Sequence, residues 1–143
     1  MRRLFALLYC LVVPLAMVAA DAEPEPENDA KTILGTWKIV KATKGGEVPD
    51  AEMLKSQFIF KAEKVIVTRP SGGEDPASYK LYPNKNPKEI DISPTMGAEQ
   101  TVRGIYKFEK GQLLLLVNKP GAERPKKYDE KTDVMLLLER VKK

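Results

Sequence analysis

From Ile33 onward the chain is written in short runs whose apolar residues recur at every second position, most of them separated by segments holding glycine, proline or asparagine. A period of two places alternate side chains on opposite faces of an extended strand, so this pattern dictates a β-rich fold and excludes a helical bundle. Eight runs qualify, over residues 33–42, 56–61, 64–69, 77–82, 89–93, 101–109, 112–118 and 133–141. Between the first two, Pro49, Asp50, Glu52, Met53 and Leu54 have the order of a short helical turn: proline and acids first, apolar residues last. Lys44-Gly45-Gly46-Glu47, residues 70–76 (Pro-Ser-Gly-Gly-Glu-Asp-Pro), residues 83–87 (Pro-Asn-Lys-Asn-Pro) and Lys110-Gly111 are turns or loops, and Ala62-Glu63 implies a tight hairpin. Eight such strands left as an open sheet would expose two raw edges, and closure removes both. The expected fold is all-β: an eight-stranded antiparallel up-and-down barrel with one short helix after its first strand. An eight-stranded barrel can fill with side chains or hold one small ligand, and the inward set Phe58, Phe60, Val65, Val67, Tyr79, Leu81, Ile90, Ile92, Tyr106 and Phe108 suits either.

The first 20 residues follow a different rule. Met1-Arg2-Arg3 is a basic head, Leu4 to Val13 is almost wholly apolar, and Val18-Ala19-Ala20 supplies small residues, the order of a secretory signal peptide. Cleavage is expected after Ala20 or Ala22. A retained anchor is the rival, because about 17 apolar residues approach the length of a membrane span, but Pro14 and the small residues after it favour cleavage. Cys10 follows Tyr9 where a lipidated cysteine needs a small residue, so it leaves with the leader. The domain is expected in an exported setting (periplasm, cell surface or medium), without disulfides and without stable membrane insertion.

Residues 21–30 carry five acids and no base, whereas residues 31–143 hold 22 Lys+Arg against 15 Asp+Glu. The Pro-Glu repeat cannot bury a core, so residues 21–31 are expected to be an extended, solvated linker ahead of a domain spanning 32–143. The domain's excess of seven positive charges is spread along it without an aromatic-and-basic cluster, which argues for a soluble surface and against nucleic-acid binding.

Histidine is absent, and the only cysteine lies in the leader. A histidine base, a cysteine nucleophile and the usual zinc and copper sites are therefore excluded from the processed chain. The paired acids Glu74-Asp75 and Asp129-Glu130 lie in loops beside lysines and read as solvated surface. Gly45-Gly46 and Gly72-Gly73 lack the strand, helix and Lys-Ser/Thr context of a phosphate loop. No catalytic residue, cofactor or metal is expected.

Gly35-Thr36-Trp37 at the head of the first strand resembles the Gly-x-Trp signature of lipocalins. In that family the tryptophan closes the barrel floor against a basic residue near the C-terminus, a role the resemblance assigns to Arg140. Leu34-Gly35-Thr36-Trp37, Tyr79-Lys80-Leu81, residues 86–92 (Asn-Pro-Lys-Glu-Ile-Asp-Ile), Gly104-Ile105-Tyr106 and Glu123-Arg124-Pro125 are similar, in order, to an uncharacterised lipocalin-like family abundant in planctomycete bacteria. The resemblance implies a barrel and an exported habit, and no activity. The domain is shorter than a lipocalin and lacks its disulfide and C-terminal helix, which weighs against a deep cup.

The expected function is non-catalytic binding of a small apolar or amphipathic molecule by a monomer, with Phe58, Phe60, Tyr79 and Tyr106 lining the barrel and Arg124 receiving a carboxylate or phosphate at a mouth. Gly35, Trp37 and Arg140 form the structural floor. The alternative is a protein-interaction module that docks a partner through Leu113-Leu114-Leu115-Leu116-Val117, a run suited either to burial on both faces or to a partner.

Overall fold

The computed structural model describes residues 28–95, 100–129, 131 and 134–142. The leader, its cleavage site, Cys10, most of the acidic stretch and Glu130 lie outside the described residues. A helical turn, α1 (Asp29–Thr32), leads into β1 (Gly35–Lys44). Then come α2 (Ala51–Lys55), β2 (Gln57–Lys61), β3 (Lys64–Thr68), β4 (Glu74–Tyr82), β5 (Glu89–Pro94), β6 (Val102–Glu109), β7 (Gln112–Val117) and β8 (Val134–Arg140). Each strand pairs antiparallel with the next, and β1 pairs with β8, which closes the barrel in sequence order. The alternation in the sequence thus becomes an inside and an outside.

Two local departures from strict alternation have physical causes. The β1–β8 register shifts between Ile39 and Lys41, and Val40 bulges outward at 43% exposure. One extra residue changes the phase, so Trp37 and Ile39 face inward before the bulge and Ala42 after it. In β4, Glu74, Asp75 and Pro76 belong to the strand and not to the preceding loop: Pro76 lies opposite Ile66, and its carbonyl accepts from the Thr95 backbone N–H and hydroxyl. Proline forfeits one ladder donor yet tolerates extended backbone.

The acidic stretch departs further. Residues 21–31 were expected to be solvated, yet Asp29 is wholly buried. Its Oδ2 accepts from Tyr106 Oη at 2.7 Å and pairs with Lys88 Nζ at 3.0 Å, which offsets part of the cost of removing the carboxylate from water; Oδ1 is buried with no hydrogen-bond partner among the described residues. The barrel unit therefore begins with α1, inside what composition marks as linker.

That helical turn seals one end of the barrel. Trp37 Nε1 donates to the Ile33 carbonyl at 2.8 Å, and the Arg140 guanidinium lies 4.5 Å from the Trp37 ring centroid, a geometry worth about 0.5–2 kcal/mol. Arg140 also donates to the carbonyls of Leu34 and Thr32, tying the end of β8 to α1. Gly35 is required at this crossing. Its φ is +123°, and a Cβ there would stand 2.7 Å from Arg140 Nη1.

The chain between β7 and β8 forms a strap over the outer surface. Arg124 Nη1 donates to the carbonyls of Ile90 (3.0 Å) and Gly104 (2.8 Å), its Nη2 reaches Asp91 at 2.6 Å, and its Nε lies 3.4 Å from Glu89. Tyr128 Oη donates to the Tyr106 carbonyl at 2.7 Å. These anchors flank Ile105, which faces outward and is nevertheless fully buried in a second apolar cluster with Leu116 and Met135. The leucine run of β7 is consequently enclosed on both sides. Leu113, Leu115 and Val117 lie in the main core, Leu116 under the strap, and β7 pairs with both β6 and β8, so it presents no open edge.

Candidate functional site

In an up-and-down barrel the two ends are built by different connections. The closed end carries α1, the β2–β3, β4–β5 and β6–β7 connections and the C-terminus; the mouth carries α2, the β3–β4 loop and the strap. Toward the closed end the interior is filled. Phe58 and Phe60 stack at 6.3 Å, Phe60 meets the edge of Tyr79 at 5.2 Å, and Tyr106 meets Phe108 at 5.8 Å, which in turn lies 6.3 Å from Trp37.

The mouth is different. A pocket of about 350 Å³ opens beside α2, lined by Ile39, Met53, Phe58 and Val67, with Asp50, Glu52, Ser56 and Arg69 supplying polar groups. Asp50 caps α2, its side chain accepting from Met53 N–H at 2.8 Å, as the order of acid and apolar residues implies. Ser71 Oγ donates to Glu52 Oε1 at 2.6 Å, which ties α2 to the β3–β4 loop, and Arg69 pairs with Asp75. None of the residues in α2 is buried, so the helix rests on the mouth as a thin cover. The lining of the pocket is divided evenly between apolar and polar side chains.

The five residues expected to contact a ligand do not converge. Phe58 alone lines the pocket. Phe60, 2% exposed, lies deeper, and Tyr79, half-buried, spends its hydroxyl on the Lys61 carbonyl at 2.8 Å. Tyr106 is committed to Asp29, and Arg124 fastens the strap on the outer face. Gly35, Trp37 and Arg140 meet at the closed end. Val67 was legible as inward-facing; Ile39, Met53 and Arg69 become neighbours of Phe58 only through the barrel register and the fold of α2. Nothing in the sequence separates Asp29 from the four acids before it.

Burial raises the Tyr106 phenol far above its usual range, with the Asp29 carboxylate adding to the effect. Burial likewise pushes Tyr128 up to about 12 and raises Tyr79, the latter with help from the charge of Glu63. These phenols are hydrogen-bond donors at neutral pH, not bases. Among the described residues no group of three or more histidine, cysteine, aspartate and glutamate side chains is placed to hold a metal ion, and no helix is long and apolar enough to cross a membrane. Compared with family models, with curated proteins and with solved structures, the chain matches none.

Proposed function

We propose that this is an exported, lipocalin-like domain that binds a small apolar or amphipathic molecule at the mouth of its barrel, without catalysis. One observation carries the reading: apolar Ile39, Met53, Phe58 and Val67 line one side of an open hollow of about 350 Å³ at the mouth, next to the buried core. That volume lies at the small end of the usual ligand range, so the occupant is a compact ring system or a short acyl chain. Its polar end would rest among Ser56, Asp50, Glu52 and Arg69. The absence of histidine throughout the chain supports a binding role over a catalytic one.

Titration with an anilinonaphthalene sulfonate, followed by displacement with acyl chains of increasing length, tests this. Saturable binding weakened by Phe58→Ala and Val67→Asp supports the reading. A fluorescence rise that never saturates, or that both variants leave unchanged, sinks it.

A further inference from the structure

The closed end of the barrel carries an array of positive charge that the fold itself does not use. Lys31 in α1, Lys61 and Lys64 at the β2–β3 turn, Lys85 between β4 and β5, Lys110 between β6 and β7, and Lys142 after β8 are all exposed there. None of the six is in an ion pair among the described residues. The acids with exposed side chains at that end are Glu63, Glu109 and Glu139, of which Glu109 pairs with Lys107 at 3.3 Å and Glu139 with Lys38 at 3.8 Å. Lys61 and Lys64 sit directly opposite each other across the β2–β3 ladder, an arrangement of like charges that costs stability. The arginines near this end are engaged: Arg140 by Trp37 and the carbonyls of Thr32 and Leu34, Arg124 by Glu89 and Asp91. What remains is a set of flexible ammonium groups, suited to spaced carboxylates more than to planar, bidentate recognition.

The described end of the chain's acidic stretch, Asn28 and Asp29, lies at this end. Its last acid, Asp29, is already engaged by a closed-end lysine, Lys88, at 3.0 Å. The four acids before it, Asp21, Glu23, Glu25 and Glu27, stand at alternate positions, the last three with prolines between them. We propose that the closed end is a docking surface for an acidic, proline-spaced peptide, and that its occupant is residues 21–27 of the same chain. At about 3.1 Å per residue the seven residues reach about 22 Å from their attachment beside α1. Eight tilted strands about 4.8 Å apart form a ring about 16 Å across, so the segment spans the lysines on either side. A short tether supplies an effective concentration in the millimolar range, enough for several weak ion pairs to act together.

The test is lysine acylation read residue by residue by mass spectrometry. It compares a chain of residues 21–143, which keeps every described residue, with its variant Asp21→Asn/Glu23→Gln/Glu25→Gln/Glu27→Gln. All four positions precede the barrel, and the melting transition checks that it is intact. At low ionic strength Lys61, Lys64 and their closed-end neighbours should react about three- to tenfold faster in the variant. Lys44 and Lys55 at the mouth serve as internal controls and should not change. The difference should vanish near 1 M salt, where the screening length is about 3 Å. Equal rates in the two proteins would leave the lysines free for an external anionic lipid or polymer and overturn the proposal. So would an equal change at Lys44 and Lys55, or a difference that persists at high salt.

Discussion

The two ends of this barrel are made from the same alternating strands, yet one is sealed and the other is not. Trp37, Phe60, Val65, Tyr106 and Leu138 near the closed end are at most 2% exposed, whereas Ile39, Met53, Phe58 and Val67 at the mouth are only partly covered. What separates them is the cover each receives. At the closed end, Asp29 of α1 and the residue that follows the helix, Ile33, are buried in the interior, and the segment is held by a buried carboxylate, an indole hydrogen bond and a guanidinium. At the mouth, α2 lies across the opening with no buried residue and a side-chain hydrogen bond to the neighbouring loop. Secondary structure alone does not close a barrel; the polar commitments of the capping segment do.

That contrast can be broken by substitution, and the largest effect belongs to the closed end. Trp37→Ala should cost about 3–5 kcal/mol in denaturant unfolding, because it removes a buried aromatic and strands Arg140. Asp29→Ala should cost about 2–4 kcal/mol by leaving Lys88 and the Tyr106 hydroxyl without their partner, tempered because the Lys88 side chain is 19% exposed. Asp29→Asn, which keeps an acceptor for Tyr106, should lose less. Arg124→Lys should cost about 1–2 kcal/mol, since a single ammonium cannot reproduce the fork that reaches Ile90, Gly104 and Asp91 together. At the mouth, Phe58→Ala should cost only about 1–2 kcal/mol of stability while weakening ligand binding at least about tenfold. An equal stability loss for Phe58→Ala and Trp37→Ala would erase the distinction between the ends.

The smallest effect is alkaline. Tyr79, Tyr106 and Tyr128 have phenols raised in the folded state, so at high pH the native protein holds more protons than the unfolded chain. The stability they contribute is complete below the ordinary tyrosine value near 10. It is lost as pH rises, through about 12 for Tyr128 and beyond for Tyr106. Melting temperatures measured from pH 9 to 12 should fall, and less steeply in Tyr128→Phe.

The barrel was legible because period-two alternation is a local signal and strand closure follows from eight short runs with turns between them. The pairing of Trp37 with Arg140 came from the resemblance to the Gly-x-Trp signature and not from periodicity, and the two do meet where β1 pairs with β8. The mouth was not legible, because Met53, Phe58 and Arg69 belong to three elements whose meeting depends on register and on the angle of α2. The bulge at Val40 changes which side of β1 faces inward, and no residue there announces it. Asp29 is the sharpest case. Composition groups it with its acidic neighbours, while its burial depends on Lys88 and Tyr106, distant in sequence and adjacent only in the folded barrel.

The contrast between sealed and open ends can be read in one NMR titration with an apolar ligand. Trp37 is the sole tryptophan, so its indole N–H, bonded to Ile33, reports on the closed end, while the methyl groups of Met53 and Val67 report on the mouth. The expected result is a saturable shift of the Met53 and Val67 methyls with the indole signal unmoved. A shift of the indole with the methyls unchanged would place the ligand at the wrong end and contradict the account.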